Sequence, residues 1–292
     1  MRAIMLTGPG RPEVVDLPDP RPAEGQVRIR TAGSAVNAAD LHIIDSGAVG
    51  VGLGLDVAGV VDEVGPGVSG LAPGTPVAAL HLPHAPHATT GAAAEYLVVP
   101  ASDVAPVPAG VDLLDAATVP LNSLTAAQLL ALLGVPAGRR LLVTGAAGGV
   151  GGYAVALAAR AGWAVTALAR ANDTGFLTNA GAGQVVTNLP AHPDYDAVLD
   201  AALLGGAALK PVRDNGSYLG VFPGKEPAAE RGIRIAAGVV APDGAALAQL
   251  LALTADGTLE PRRAATVSFD KAAAAYEAFR GGGQRGRWVL TP

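Results

Sequence analysis

The 292-residue sequence predicts an α/β protein, with an irregular β domain drawn from both ends of the chain and a doubly wound parallel-sheet domain between them. Three observations predict it. Up to about Pro108 the chain runs in short β-rich pieces cut by Gly and Pro turns. From Leu113 onward the rhythm lengthens into alternating helical and strand patterns. Within that stretch, LLVTGAAGGVGGYAVALAARAGWAVTALAR (Leu141 to Arg170) reads as strand, glycine turn, helix and second strand.

The first pieces, QVRIRTAGSAV, VAGVVDEVG, TPVAALHL and AAEYLVV, alternate or are rich in β-branched residues, and each is bounded by turn formers. They make residues 1–112 the first part of the β domain. DLLDAATVPLNSLTAAQLLALLG is expected as a helical run opening the second domain, residues 113–260. RLLVTG, WAVTALA, GQVVT, YDAVLD, GSYLGVF and IRIAAGVV follow as strands, with GGVGGYAVALAARAG as the helix after the first of them. Beyond Glu260 a strand (AATVSF), a helix (DKAAAAYEAF) and a terminal strand (RWVLTP) return residues 261–292 to the first domain.

Composition narrows the function. Half of the residues are apolar and only 4% aromatic, so the core is expected to consist of Ala, Val and Leu. A net charge of −5, with Lys and Arg dispersed, offers no basic stripe for a phosphate backbone, and nucleic acid is excluded as the expected partner. MRAIMLTGPG lacks the apolar core of a signal peptide, and the most apolar stretch is broken by Arg160 and Gly162, so no membrane partner and a cytoplasmic location are expected. With no cysteine there is no disulfide, thiolate nucleophile or cysteine-ligated zinc.

The glycine turn carries the strongest signal. Against the pattern G-x-G-x-x-G, the three positions are filled by Ala146, Gly148 and Gly151, with Gly149 and Val150 between the last two. The second must lack a side chain so that the backbone can approach a pyrophosphate, and the third lets helix and strand pack closely. N–H groups opening the helix then face the phosphates. A tight strand-to-helix turn alone also uses such glycines; the flanking strands favour a dinucleotide. At the end of the second strand, where a carboxylate would bind the adenosine ribose, stands Arg170, whose planar donors suit a 2′-phosphate. NADPH is the expected cofactor, the alternative being a solvated Arg170 with Asp173 reaching back.

Several segments together resemble the medium-chain dehydrogenase/reductase superfamily and its zinc-independent, quinone oxidoreductase-like branch: VNAAD (Val36 to Asp40), LDVAGVVDEVGPGVSG (Leu55 to Gly70), AAEYLVVP (Ala93 to Pro100), LTAAQLL (Leu124 to Leu130), GAAGGVGG (Gly145 to Gly152), YDAVLDAALLGG (Tyr195 to Gly206) and GRWVL (Gly286 to Leu290). The resemblance covers nearly the whole chain. It implies a GroES-like catalytic domain, a Rossmann domain, and a cleft where NADPH meets an unsaturated carbonyl compound. In the zinc-dependent branch, Cys-Gly-x-Asp-x-His and Gly-His-Glu stretches bind metal; here the matching positions are Asn37, Ala38, Asp40 and His42, then Gly54, Leu55 and Asp56. No metal is expected. Ala38 and Ile44 replace the usual Pro and Arg of the quinone branch, which points to a larger or specialised substrate.

Reducing a polarised double bond requires placing the hydride about 3–3.5 Å from the acceptor carbon and stabilising the developing enolate. The catalytic candidates are Asn37, as a donor to the carbonyl or as a turn residue; His42, as the proton source or an ordinary packed histidine; and Asp40, to orient His42 or hold the loop. By resemblance, Thr125 lies near the nicotinamide end of the cofactor, although capping the LTAAQLL helix explains a Thr there equally well. Gly220, Val221 and Phe222 are expected to line the nicotinamide pocket, and Tyr218 to be core. His81, His84 and His87 recur at a spacing of three, but the intervening prolines favour a solvated loop over a metal site. Relatives often pair edge strand to edge strand, which makes IRIAAGVV a candidate homodimer edge. The resulting reading is an NADPH-dependent reductase of an enone or quinone. The competitors are a redox-neutral cyclase or eliminase on the same fold, and a non-catalytic NADPH-binding protein.

Overall fold

The computed structural model describes residues 1–82, 90–283 and 285–292. The chain begins with strands β1 (Arg2–Gly8), β2 (Arg11–Asp16) and β3 (Gln26–Ala35), followed by helix α1 (Ala38–Asp45). Strands β4 (Asp56–Val64), β5 (Pro76–Leu80), β6 (Tyr96–Pro100) and β7 (Val104–Pro106) lead to the one-turn helix α2 (Leu113–Ala116). Next come α3 (Pro120–Ala131), β8 (Arg140–Thr144), α4 (Gly149–Ala161), β9 (Ala164–Leu168), α5 (Thr174–Asn179), β10 (Gln184–Val186), β11 (Tyr195–Asp200), β12 (Val212–Gly220) and β13 (Arg234–Ala237). The chain closes with α6 (Gly244–Ala255), β14 (Arg263–Ser268), α7 (Ala272–Gly281) and β15 (Arg287–Thr291).

Two compact units result, Met1–Leu121 with Pro242–Pro292, and Asn122–Ala241. The sequence places the transitions at residues 113 and 260; the structure moves both inward, because α2 packs on β3, β4 and β5 while α6 packs on β7. Packing partners, which local patterns do not reveal, decide to which unit a helix belongs.

The first unit is built on a mixed sheet ordered β14-β15-β3-β4-β5-β7, with β6 also paired to β3. Alternate residues of its strands, Val27 and Ile29 in β3 and Val57 and Val61 in β4, point into one core with Val77, Leu97 and Val99. The returning end of the chain completes this sheet: β15 lies antiparallel against β3, pairing Val289 with Ala35 and Leu290 with Ser34.

The second unit is a six-stranded sheet ordered β10-β9-β8-β11-β12-β13, with every pair parallel. Relative to chain order this is 3-2-1-4-5-6, so the direction of winding reverses between β8 and β11 and opens a crevice at their carboxyl ends. All six residues of β11 are buried, as expected of a central parallel strand. Small residues of α4, among them Gly151, Ala154 and Ala158, form its buried face, and the helix stops at Gly162, whose φ of 97° supplies a left-handed cap.

The helical run expected from residue 113 is two helices. Pro120 disfavours helical backbone at Val119 yet fits the first position of a new helix, so α2 ends and α3 starts there. Among the described residues, no helix is long and apolar enough to cross a membrane.

Candidate functional site

At the crevice of the second unit, β8 ends and the backbone folds back on itself. The Gly148 N–H donates to the Gly145 carbonyl at 2.8 Å, and Gly148 then caps α4 in an extended conformation. A Cβ built on Gly151 would lie 2.2 Å from the Gly145 carbonyl oxygen and 2.8 Å from the Ala146 Cα, so a side chain there forces turn and helix apart. Ala146 is buried and is not among the residues of positive φ, so the first fingerprint position does not require glycine. The N–H groups of Gly149, Val150 and Gly151 occupy the first turn of α4, where no intrahelical carbonyl reaches them and the helix dipole is positive. That is a bare, donor-rich surface suited to phosphate oxygens.

Side chains tie the neighbouring strand ends together. Thr144 Oγ1, at the end of β8, donates to Asp200 Oδ1 at 2.5 Å, and the Tyr218 hydroxyl of β12 donates to Asp200 Oδ2 at 2.9 Å. Burial and the adjacent Asp200 charge push the Tyr218 hydroxyl well above the usual phenol range, so it stays a donor. Tyr218 is core, as the sequence indicates, and a strand tie as well. Gly220 closes β12, and Val221 and Phe222 follow half-buried. Arg170 stands exposed just beyond β9, and its side chain makes no hydrogen bond or ion pair among the described residues. Thr125 is buried in the interior of α3, five residues past Pro120, so helix capping does not explain it.

The first unit holds a second constellation, entirely buried. Asn37 caps α1, and its Nδ2 donates to the Ala35 carbonyl at 3.0 Å and to Asp56 Oδ2 at 2.9 Å. Its Oδ1 accepts from Arg287 Nη1, which also lies 3.4 Å from Asp56 Oδ2. The other Asp56 oxygen accepts the Leu121 N–H at 2.6 Å. Burial drives the Asp56 carboxyl upward, opposed chiefly by the Arg287 charge. Asp40 accepts the Asn37 N–H and the Gly54 N–H, each at 2.8 Å. Burial lifts it to about 7 despite these two bonds. Gly54 has φ 91°, and a Cβ there would lie 2.4 Å from the Ala93 nitrogen, so only glycine fits beneath Asp40.

This geometry matches the second of the two readings of Asn37, a turn residue. Both amide hydrogens of Asn37 are given to protein acceptors, so it is not placed to donate to a substrate carbonyl; it orders the turn that opens α1. Asp40 holds the same loop through backbone N–H groups, the second of its two expected roles. His42 is exposed on α1. His81 is buried against the Thr90 carbonyl at 2.8 Å, while His84 and His87 lie outside the described residues. Arg287 is absent from the candidates that sequence motifs supply. A charged residue within an apolar strand, GRWVL, facing an aspartate within another, LGLDVAGVV, is the signal that reveals it.

The alcohol dehydrogenase GroES-like domain matches residues 23–109, and the zinc-binding dehydrogenase domain matches residues 176–290. The chain is 32% identical over 297 residues to the spectinabilin polyketide synthase system protein NorB of Streptomyces orinoci, covering 92% of this chain and 13% of that one. A chloroplast envelope quinone oxidoreductase homolog of Arabidopsis thaliana is 32% identical over 240 residues, covering 73% of this chain and 70% of the relative. A 2-methylene-furan-3-one reductase of Solanum lycopersicum is 31% identical over 319 residues, covering 100% and 79%. Among solved structures, a cobalt- and zinc-bound thermostable alcohol dehydrogenase from Pyrobaculum aerophilum superposes with TM-score 0.83 at 27% identity, covering 100% of this chain and 99% of that one. The chain therefore belongs to the medium-chain dehydrogenase/reductase superfamily, in its quinone oxidoreductase-like branch.

Proposed function

We propose that this chain reduces a conjugated carbonyl compound, an enone or a quinone, with NADPH and without a catalytic metal. The observation that carries the reading is the bare turn from Gly145 to Gly151, set where the order of the parallel sheet reverses. The first-turn N–H groups of α4 would hold the pyrophosphate, Arg170 the 2′-phosphate, and the backbone of Gly220 to Phe222 the nicotinamide end. When bound, the cofactor supplies a hydride. Relatives named as a quinone oxidoreductase homolog, a methylene-furanone reductase and an NADPH-dependent alkenal/one oxidoreductase support the substrate class.

The residues matching the metal ligands of the zinc branch do not fit zinc. The chain has no thiolate, Leu55 stands at the histidine position with no donor atom, and both Asp56 oxygens already accept N–H donors. Of the catalytic candidates, His42 is the one with an exposed side chain, and proton delivery to the enolate falls to it. Pairing of two copies through the open edge at β13 is part of the same reading; a monomer in light scattering would remove it.

NADPH titration should enhance nicotinamide fluorescence, and an enone and quinone panel should consume the reduced-nicotinamide absorbance. Binding without any reduction leaves a redox-neutral or non-catalytic protein and rejects the proposal. Arg170→Ala should weaken NADPH by about tenfold or more while sparing NADH, since it removes a charge-assisted contact to the 2′-phosphate; equal losses reject the cofactor preference. His42→Gln should keep NADPH affinity and lose turnover, and unchanged turnover removes His42 from the chemistry.

A further inference from the structure

Two buried hydroxyl groups of the first unit take no part in the proposed chemistry. Ser34 on β3 is 0% exposed and Tyr276 on α7 is 1% exposed. Neither Ser34 Oγ nor Tyr276 Oη has a hydrogen-bond partner among the described residues. Taking a hydroxyl out of water without a partner is costly, so buried hydroxyls in folded proteins are nearly always bonded, either to protein or to an ordered water. Two of them around one carboxylate mark a polar site in the interior.

Asp40 is that carboxylate. A Cβ on Gly54 would come within 2.7 Å of Ser34 Oγ, and the same Gly54 donates its N–H to Asp40 Oδ1 at 2.8 Å. Tyr276 arrives from the returning end of the chain. Its helix α7 packs on α1, which carries Asp40, and on β15, whose Leu290 pairs with Ser34. Burial first, and then the Asp40 charge, push the Tyr276 hydroxyl well above the usual phenol range, so it stays a donor. Each Asp40 oxygen accepts one backbone N–H and keeps further acceptor capacity. The site therefore offers a donor, an acceptor, and a serine that is both, with no direct bond joining the two hydroxyls to anything.

We propose that this site binds one internal water molecule, which accepts from the Tyr276 hydroxyl and donates to Ser34 Oγ and to Asp40. A water carries two donors and two lone pairs, and about three bonds to otherwise unsatisfied groups are its usual complement when buried. It joins α7, β3 and α1 at a single point. Nothing in this assignment requires that the second unit bind NADPH, since all three partners belong to the first unit.

Tyr276→Phe and Ser34→Ala each delete one hydroxyl and little else, and the sign of the Tm change separates a bonded group from an orphan. Losing a water-bonded hydroxyl should lower Tm by about 2–4 °C, whereas losing an orphan removes a desolvation penalty and raises it. Groups that share one water are coupled. The double variant should therefore lose less than the sum of the two single losses, by at least about 1 °C. A high-resolution crystal structure of the unaltered protein should show a water oxygen about 2.6–3.2 Å from both Tyr276 Oη and Ser34 Oγ. A raised Tm in either single variant, additive losses, or crystals with no water between the two oxygens would each overturn the assignment.

Discussion

Replacing Arg287 with methionine tests the buried constellation of the first unit most directly. Arg287 is 5% and Asp56 0% exposed, so the variant strands a carboxylate in the interior without its cation. Removing one partner of a buried pair costs about 3–5 kcal/mol. Asp56 keeps the Leu121 N–H and the Asn37 amide as donors, which pulls the carboxylate's share toward the lower end. Asn37 Oδ1 loses its Arg287 donor, however, and an unsatisfied buried acceptor adds about 1–3 kcal/mol. A loss of about 4 kcal/mol is expected in urea denaturation near neutral pH, read as a lower midpoint with an unchanged slope. The deficit should also depend on pH. The Arg287 charge opposes the upward shift of Asp56, so the variant's folded state holds the Asp56 proton to still higher pH. Its stability therefore falls as pH rises, and the deficit shrinks in acid, where a neutral carboxyl needs no counter-charge. Adding Asp56→Asn should recover part of the loss, because a neutral amide in the interior needs no counter-charge. A deficit below about 1 kcal/mol, or one independent of pH, would refute the ion-pair account.

Gly151→Ala places a methyl 2.2 Å from the Gly145 oxygen, so the turn must open; NADPH affinity should drop by about tenfold or more, and a parental Kd would show that the turn is not the binding surface. Asp40, lifted from 3.8 to about 7, keeps a proton in the folded state that the unfolded chain releases. Its contribution is complete below the lower value and declines through the window up to the higher one, by up to about 4 kcal/mol. Denaturation across that window should show the decline in the parent and not in Asp40→Asn, and parallel curves would reject it.

The parts of this molecule legible in the sequence are those whose causes are local. The strand β8, the glycine turn, α4 and β9 stand together between Leu141 and Arg170, and their periodicities and glycines act within a few residues. Helix membership is not legible there, since α2 and α6 join the first unit through contacts with strands distant in sequence. The break at Pro120 does have a local cause, which the expectation of one continuous helical run disregards: a proline inside a helical pattern ends one helix or opens another. It changes the meaning of Thr125, from a cap to an interior side chain.

The role of Asn37 depends on residues that no local window contains. Only the antiparallel pairing of β15 with β3 brings Arg287 to Asn37 and Asp56. A buried carboxylate is costly unless paired, so Asp56 inside an apolar strand demands a cationic or donor partner from somewhere in the chain. With no cysteine to complete a metal site, the remaining candidates are arginines in other apolar runs, and GRWVL supplies one. Reasoning from the unpaired charge to its partner, rather than from the motif to its usual role, therefore assigns Asn37 to holding the loop and leaves substrate contact to residues with exposed side chains.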